Sequence, residues 1–201
     1  MKKLIKSTHD RKSLRLPDFD YSQDGAYFVT IVTQNRTCLF GSVVGGEMVI
    51  NEAGRMLDQV CQEIPIVISS VGLEYYVIMP NHFHAIIILN NDARFVQADL
   101  PQVPGAGSVY PSEEYNTGQP QRIAPTQDTV SLPNVIQRFK SLTTCRYISG
   151  VQQRDWPRFN GRLWHRNYYE HVIRNERDYQ GFVDYIAMNP LSWEKDEEYR
   201  C

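Results

Sequence analysis

The sequence predicts an α+β fold, an antiparallel sheet with helices packed on it. Three observations carry this. Runs of β-branched, aromatic and aliphatic residues recur at 27–33, 67–79 and 82–89. Stretches with helical periodicity begin near Asn51, Ser131 and Asn175. The chain has 201 residues, 42% hydrophobic and 22% charged, which leaves room for one domain with long additions and matches an ordinary globular protein.

Residues 1–20 read as an irregular basic arm, and Arg15-Leu16-Pro17-Asp18 turns into the body. Tyr27 to Thr33 reads as a buried central strand, with Gly25 as punctuation before it. Gly41, Gly45 and Gly46 lie between short apolar runs and predict a hairpin over 39–50. Asn51 is an N-cap with Glu52 in the first turn, and Ala53, Met56, Leu57, Val60 and Ile64 repeat at helical spacing until Pro65 closes the element. Strands follow at 67–79 and 82–89, joined by a Pro-Asn turn. From about 91 to 130, five prolines and three glycines interrupt any period, which predicts a long flexible insertion. Ser131 or Asn134 caps the next helix, which runs to about Ile148 and is ended by Gly150. Asn175 caps a last helix through Met188, stopped at Asn189-Pro190, and residues 191–201 form an acidic tail. The order strand, hairpin, helix, strand, strand, helix, mixed segment suits a ferredoxin-like sheet over residues 21–190 with its helices on one face.

The net charge of −2 hides an uneven distribution. Residues 1–16 hold six basic residues, Lys12 and Arg15 among them, against Asp10. Residues 134–177 hold nine, including Arg138, Lys140, Arg146, Arg162 and Arg166, against three acids. Basic stretches interleaved with aromatics such as Tyr168 suit a polyanion, and nucleic acid is the usual one; a solvated charged surface is the alternative. No apolar run reaches the length of a membrane span, and the basic start is followed by no apolar core of a secretory signal. Cys38, Cys61, Cys145 and Cys201 are widely spaced, so a disulfide framework or zinc knuckle is not expected, and a reducing cytoplasm is the simplest home.

His82 and His84 stand two apart in a strand, so both imidazoles project from one face while Phe83 and Ala85 enter a core on the other. Neutral imidazole suits a divalent ion, and two of them buried without partners are costly. The alternative is a pair of structural histidines.

Several stretches occur together in a fixed order: Arg15-Leu16-Pro17-Asp18-Phe19-Asp20-Tyr21, Gly25-Ala26-Tyr27-Phe28-Val29-Thr30, Met79-Pro80-Asn81-His82-Phe83-His84, Phe139-Lys140-Ser141, Trp164-His165-Arg166-Asn167-Tyr168-Tyr169-Glu170-His171 and Tyr185-Ile186-Ala187-Met188-Asn189-Pro190. This set resembles the REP-associated tyrosine transposases, relatives of the single-tyrosine transposases in the HUH nuclease superfamily. The resemblance implies a catalytic domain that nicks single-stranded DNA, often at hairpins, and transfers strands. It implies His82 and His84 as ligands for Mg²⁺ or Mn²⁺ and a tyrosine on the following helix that forms a 5′-phosphotyrosine link. Tyr147 is the tyrosine of that helix, although the place about three residues past the lysine holds Thr143. Its alternative reading is a packed helix aromatic. Relatives carry an amide a turn beyond the tyrosine as a third ligand; the nearest here are Gln152 and Gln153. Tyr168 and Tyr169 rival Tyr147 by composition. Arg138, Lys140, Arg146, Arg162, Arg166, Tyr168, Lys12 and Arg15 are the expected DNA contacts. His165, His171, Trp156 and Trp164 read more readily as surface or core residues. The family implies a cytoplasmic, nucleoid-associated protein and often a homodimer, which no residue here shows. Two other readings stand beside the enzyme: a domesticated hairpin-DNA binder that does not cut, favoured by the irregular tyrosine spacing, and an RNA-directed module on the same scaffold.

Overall fold

The computed structural model describes residues 16, 18–91, 107–108, 129–196 and 198–199. The expected basic arm, with Lys12 and Arg15, and nearly all of the expected insertion lie outside them. Strand β1 (Gly25–Val32) is followed by a short hairpin, β2 (Gly41–Val44) and β3 (Glu47–Ile50), then by helix α1 (Glu52–Val67). Strands β4 (Val71–Ile78) and β5 (His82–Leu89) come next, then a two-residue strand β6 (Gly107–Ser108), helix α2 (Leu132–Gln153), strand β7 (Tyr169–Ile173), helix α3 (Glu176–Met188) and a 3-10 segment (Pro190–Lys195).

The main sheet runs β6-β4-β5-β1-β7, and its four long strands pair antiparallel throughout. Set aside β6, and this is the strand order of a ferredoxin-like α+β sheet. β5 is flanked by β1 and β4 along its full length, with Thr30 opposite His84 and Val32 opposite His82. Strand alternation splits its side chains cleanly. Phe83, Ala85, Ile87 and Leu89 join the large core with Leu57 and Val60 of α1 and Val135, Ile136 and Phe139 of α2. Ile86 and Ile88 join a smaller core on the other face, with Phe28, Val77, Ile186 of α3 and Trp193. The helices therefore cover both faces, not one: α1 and α2 lie on one side, α3 and the 3-10 segment on the other. The physical reason is that the His-bearing face is itself mostly apolar and needs a cover of its own.

Local chemistry sets most element ends. The Oδ1 of Asn51 accepts from Gly54 N–H at 2.9 Å and that of Asn175 accepts from Asp178 N–H at 2.9 Å, so both expected N-caps form. Gly45 and Gly46, with φ of 61° and 83°, make the tight β2–β3 turn that other residues resist. Asn91 is tied to Val130, donating to its carbonyl at 3.1 Å and accepting from its N–H at 2.8 Å. Among the described residues, Cys61 and Cys145 are free thiols.

Two expected stops are not stops. Pro65 lies inside α1. Its ring holds a helical φ, and the bond it forfeits is in the last turn, where Ile68 N–H still reaches Ile64 O at 2.9 Å. This extension also delays β4 to Val71. Gly150 lies inside α2 because it makes room for Trp156: a Cβ there would stand 2.2 Å from the indole. Gly150→Ala should cost about 1–3 kcal/mol by overpacking, read as a lower urea midpoint; an unchanged midpoint would show that the indole does not need this gap.

Candidate metal centre

His82 and His84 project from the middle of the sheet, with ring centroids 4.5 Å apart. They are 0% and 2% exposed. Phe28 stacks on His84 and Trp193 leans on His82, so both rings are held by packing as well as by hydrogen bonds.

The bonds define which nitrogen is free. His82 Nδ1 lies 2.9 Å from Asn81 Oδ1. Asn81 is oriented by its own amide, which donates to Arg36 O at 3.1 Å and Glu198 O at 2.8 Å. Its Oδ1 can then only accept, so His82 carries its proton on Nδ1 and leaves a lone pair on Nε2. That Nε2 is buried and has no hydrogen-bond partner among the described residues. His84 Nδ1 lies 2.9 Å from Thr30 Oγ1, and its Nε2 lies 3.5 Å from the hydroxyl of Tyr185.

Asp196, from the end of the 3-10 segment, completes the cluster. One atom each from His82, His84 and Asp196 falls within 4.8 Å of the others. Asn189 Nδ2 donates to Asp196 Oδ2 at 3.0 Å, which turns its Oδ1 away; that oxygen is buried and has no partner among the described residues. Two orphaned acceptors in one dry place are what a cation would satisfy. The donor set therefore fits a divalent ion held by His82, His84 and Asp196.

Electrostatics agree. Burial holds His84 well below the usual 6.5, and a charge on His82 would lower it further. Burial also lowers His82, offset in part by the carboxylates of Asp196 and Glu198 and by Asn189. Both imidazoles are neutral at pH 7, the form that binds metal.

The other expected site residues are elsewhere. Phe83 stacks on Phe139 of α2 at 4.9 Å, so α2 sits behind the sheet from the histidines. Tyr147 is fully buried in that core, against Phe40, Trp156 and Phe159. Its hydroxyl donates to Pro157 O at 2.9 Å, and burial pushes its pKa up to about 12. Thr143 is buried beside it, accepting from Trp164 Nε1–H at 2.8 Å. Gln152 lines a separate pocket of about 560 Å³ with Asp155 and Arg158, and Gln153 follows it on the same helix end. The structure does not bring these residues to the histidine pair.

Several expected DNA contacts are engaged in the fold. Lys140 Nζ donates to the carbonyls of His165 and Asn167 at 3.0 and 3.2 Å and lies 5.4 Å from the Tyr168 ring centre, pinning the 165–168 turn to α2. Arg146 makes a two-pronged ion pair with Glu63, joining α2 to α1. Arg138 is half-buried, while Arg162 and Arg166 remain exposed. His171 bonds Asp178 at 2.9 Å and ties β7 to α3, as a structural histidine would. Sequence reasoning missed Asp196, Asn189 and Tyr185. The Tyr-x-x-x-Asn spacing at 185–189 was the available signal, because it places both on one helical face.

The chain is 34% identical over 194 residues to an uncharacterized protein of Haemophilus influenzae, covering 95% of this chain and 94% of that one. It is 27% identical over 174 residues to a second Haemophilus influenzae protein, provisionally named a REP-associated tyrosine transposase, covering 86% of this chain and 73% of that one. A solved REP-associated tyrosine transposase bound to a REP hairpin matches with a TM-score of 0.49 at 18% identity, over 87% of this chain and 71% of that one. No family model matches. The chain is similar to the REP-associated tyrosine transposases. No helix among the described residues is long and apolar enough to cross a membrane.

Because both imidazoles are buried neutral, their contribution to stability is intact above pH 6.5 and is lost as pH falls below it. The urea midpoint should drop between pH 7 and pH 5, and His84→Gln should flatten that drop; parallel curves for the two proteins would contradict the assignment.

Proposed function

We propose that the protein nicks single-stranded DNA at hairpins and transfers the cut strand, using a divalent ion and a tyrosine nucleophile that forms a 5′-phosphotyrosine intermediate. One observation carries the reading: a buried His82 Nε2 with no partner among the described residues, in a His-His-Asp cluster. When bound, a divalent ion polarises the phosphate and stabilises the charge that builds on its oxygens. Imidazole nitrogens beside carboxylate and amide oxygens favour Mn²⁺ over Mg²⁺, which prefers oxygen and water. The chain's own residues fix the site before the ion arrives. Asn81 and Thr30 orient the two imidazoles, and Asn189 orients Asp196. A hairpin partner is the reading we take from a similar protein, a REP-associated tyrosine transposase solved bound to a REP hairpin. Such a protein acts on nucleoid DNA in the cytoplasm.

A second reading has its own support. Thr143 and Tyr147 are both locked in the core, so the helix expected to carry the nucleophile offers none to the histidines. That favours a hairpin binder that does not cut.

The two separate in one assay. A 3′-labelled DNA hairpin incubated with protein and Mn²⁺ should leave label on the protein through denaturing electrophoresis. His82→Ala or chelation of the metal should lower this by at least about 100-fold. Tight, salt-sensitive binding with no labelled protein would establish the binder instead.

A further inference from the structure

We infer that Tyr169 of β7 is a stacking platform for an unpaired DNA base beside the histidine pair. This rests on the DNA-binding side of the reading above, and it holds whether the protein cuts or only binds.

The sheet register places the ring. Thr30 of β1 lies opposite His84 on one side and opposite Tyr169 on the other. Residues directly opposite share a face, and Thr30 Oγ1 lies 2.9 Å from His84 Nδ1, so that face is the one with the histidines. His84, Thr30 and Tyr169 therefore form one row across three strands. Two strand spacings put the first and last Cα atoms about 10 Å apart. Phe28, in the next row, stacks on His84 at 5.5 Å and meets Tyr169 edge-on at 6.3 Å. One buried ring thus backs both the metal-binding imidazole and the phenol.

The fold makes little use of Tyr169 itself. Tyr168 and Val172 turn to the large core, and Ile173 packs on the smaller one. His171 is held by Asp178 and Phe182. Tyr169 belongs to neither core and is 48% exposed. Tyr168, the contact expected from the sequence, lies on the far face beneath Lys140. Among the described residues the outer edge of β7 is unpaired, so a strand can reach Tyr169 from the side.

A cation stands ahead of it. His165 N–H donates to Val32 O at 2.8 Å, and Val32 pairs with His82, so the 165–168 turn crosses the sheet end beside the histidines. Lys140 grips the carbonyls of that turn, which leaves the Arg166 side chain exposed. The ion pairs among the described residues use other side chains. A free guanidinium for the backbone and a bare ring for the base are the two parts that hold a single strand. Here both flank the metal centre, where the strand's phosphate would lie.

The test uses the full chain and two pools of fluorescein-labelled DNA hairpins. One pool has randomised single-stranded flanks; in the other, every flanking nucleotide is abasic. Anisotropy is read in EDTA and again in Mn²⁺. The parent should bind the abasic pool at least about tenfold more weakly. Tyr169→Ala should bind the base-bearing pool about tenfold more weakly than the parent, and the abasic pool within about twofold of it. Tyr169→Phe and Tyr169→Trp should stay within about twofold on both pools, because the ring and not the hydroxyl holds the base. Calorimetric titration with Mn²⁺ alone should give Tyr169→Ala the parent's affinity within about twofold, which separates lost stacking from a disturbed metal centre. An abasic pool bound as tightly as the other overturns the platform. So does undiminished affinity in Tyr169→Ala, an equal loss on both pools, a tenfold loss in Tyr169→Phe, or a matching loss of Mn²⁺ binding. Each of these leaves hairpin binding standing. A parent chain that binds neither pool in either condition removes the DNA reading as well.

Discussion

The hydrogen bond from His82 Nδ1 to Asn81 Oδ1 is the constraint on which the candidate site rests. It fixes the tautomer, and the tautomer leaves Nε2 as a bare acceptor in a place without water-facing surface. An unpaired buried acceptor costs roughly 1–3 kcal/mol, so the fold carries it at a loss unless a cation relieves it. The backbone there is fixed because β5 is paired on both edges, to β1 and β4, and packing against Phe28 and Trp193 holds the rings. The Pro80-Asn81 turn serves twice. It joins two central strands, and it supplies the amide that orients the first histidine. Pro80 O also accepts from both Leu39 and Phe40, which anchors the segment ahead of β2 to the same turn.

The sheet divides stability from chemistry. One face is a continuous apolar core under α1 and α2, with Phe83, Phe139, Trp164 and Tyr147 packed through it. The other face carries the imidazoles and is covered by α3 and the segment after it. Alternation along a strand makes this division cheap: one residue of β5 serves the core and the next serves the site. It also explains why α2, the longest helix and rich in basic residues, does so little at the site. Its Lys140 and Arg146 bind the fold together, the first by capping three backbone carbonyls and the second by pairing with Glu63.

Much of this was readable from the residues. β5 spans His82–Leu89, as its residues predict, because the run alternates and then turns aliphatic, and the two Asn caps follow from local hydrogen bonding. Helix ends read from Pro65 and Gly150 did not hold, because tertiary neighbours decide whether a breaker breaks. Pro65 falls where the helix is already ending, and Gly150 serves the indole of Trp156. The third ligand was sought among Gln152 and Gln153 because they are near in sequence to Tyr147. Asp196 lies 112 to 114 residues from the histidines, and nothing local links them.

The sequence by itself determined the class of fold and the same-face projection of His82 and His84, since each depends on periodicity. Only the tertiary structure decided which helix faces the imidazoles. That depends on how α2 and α3 partition between two sides of one sheet, a choice made by long-range burial. It set Tyr147 against Pro157 in the core and left Tyr185, Asn189 and Asp196 around the histidines, because side chains distant in sequence meet only when both faces are covered.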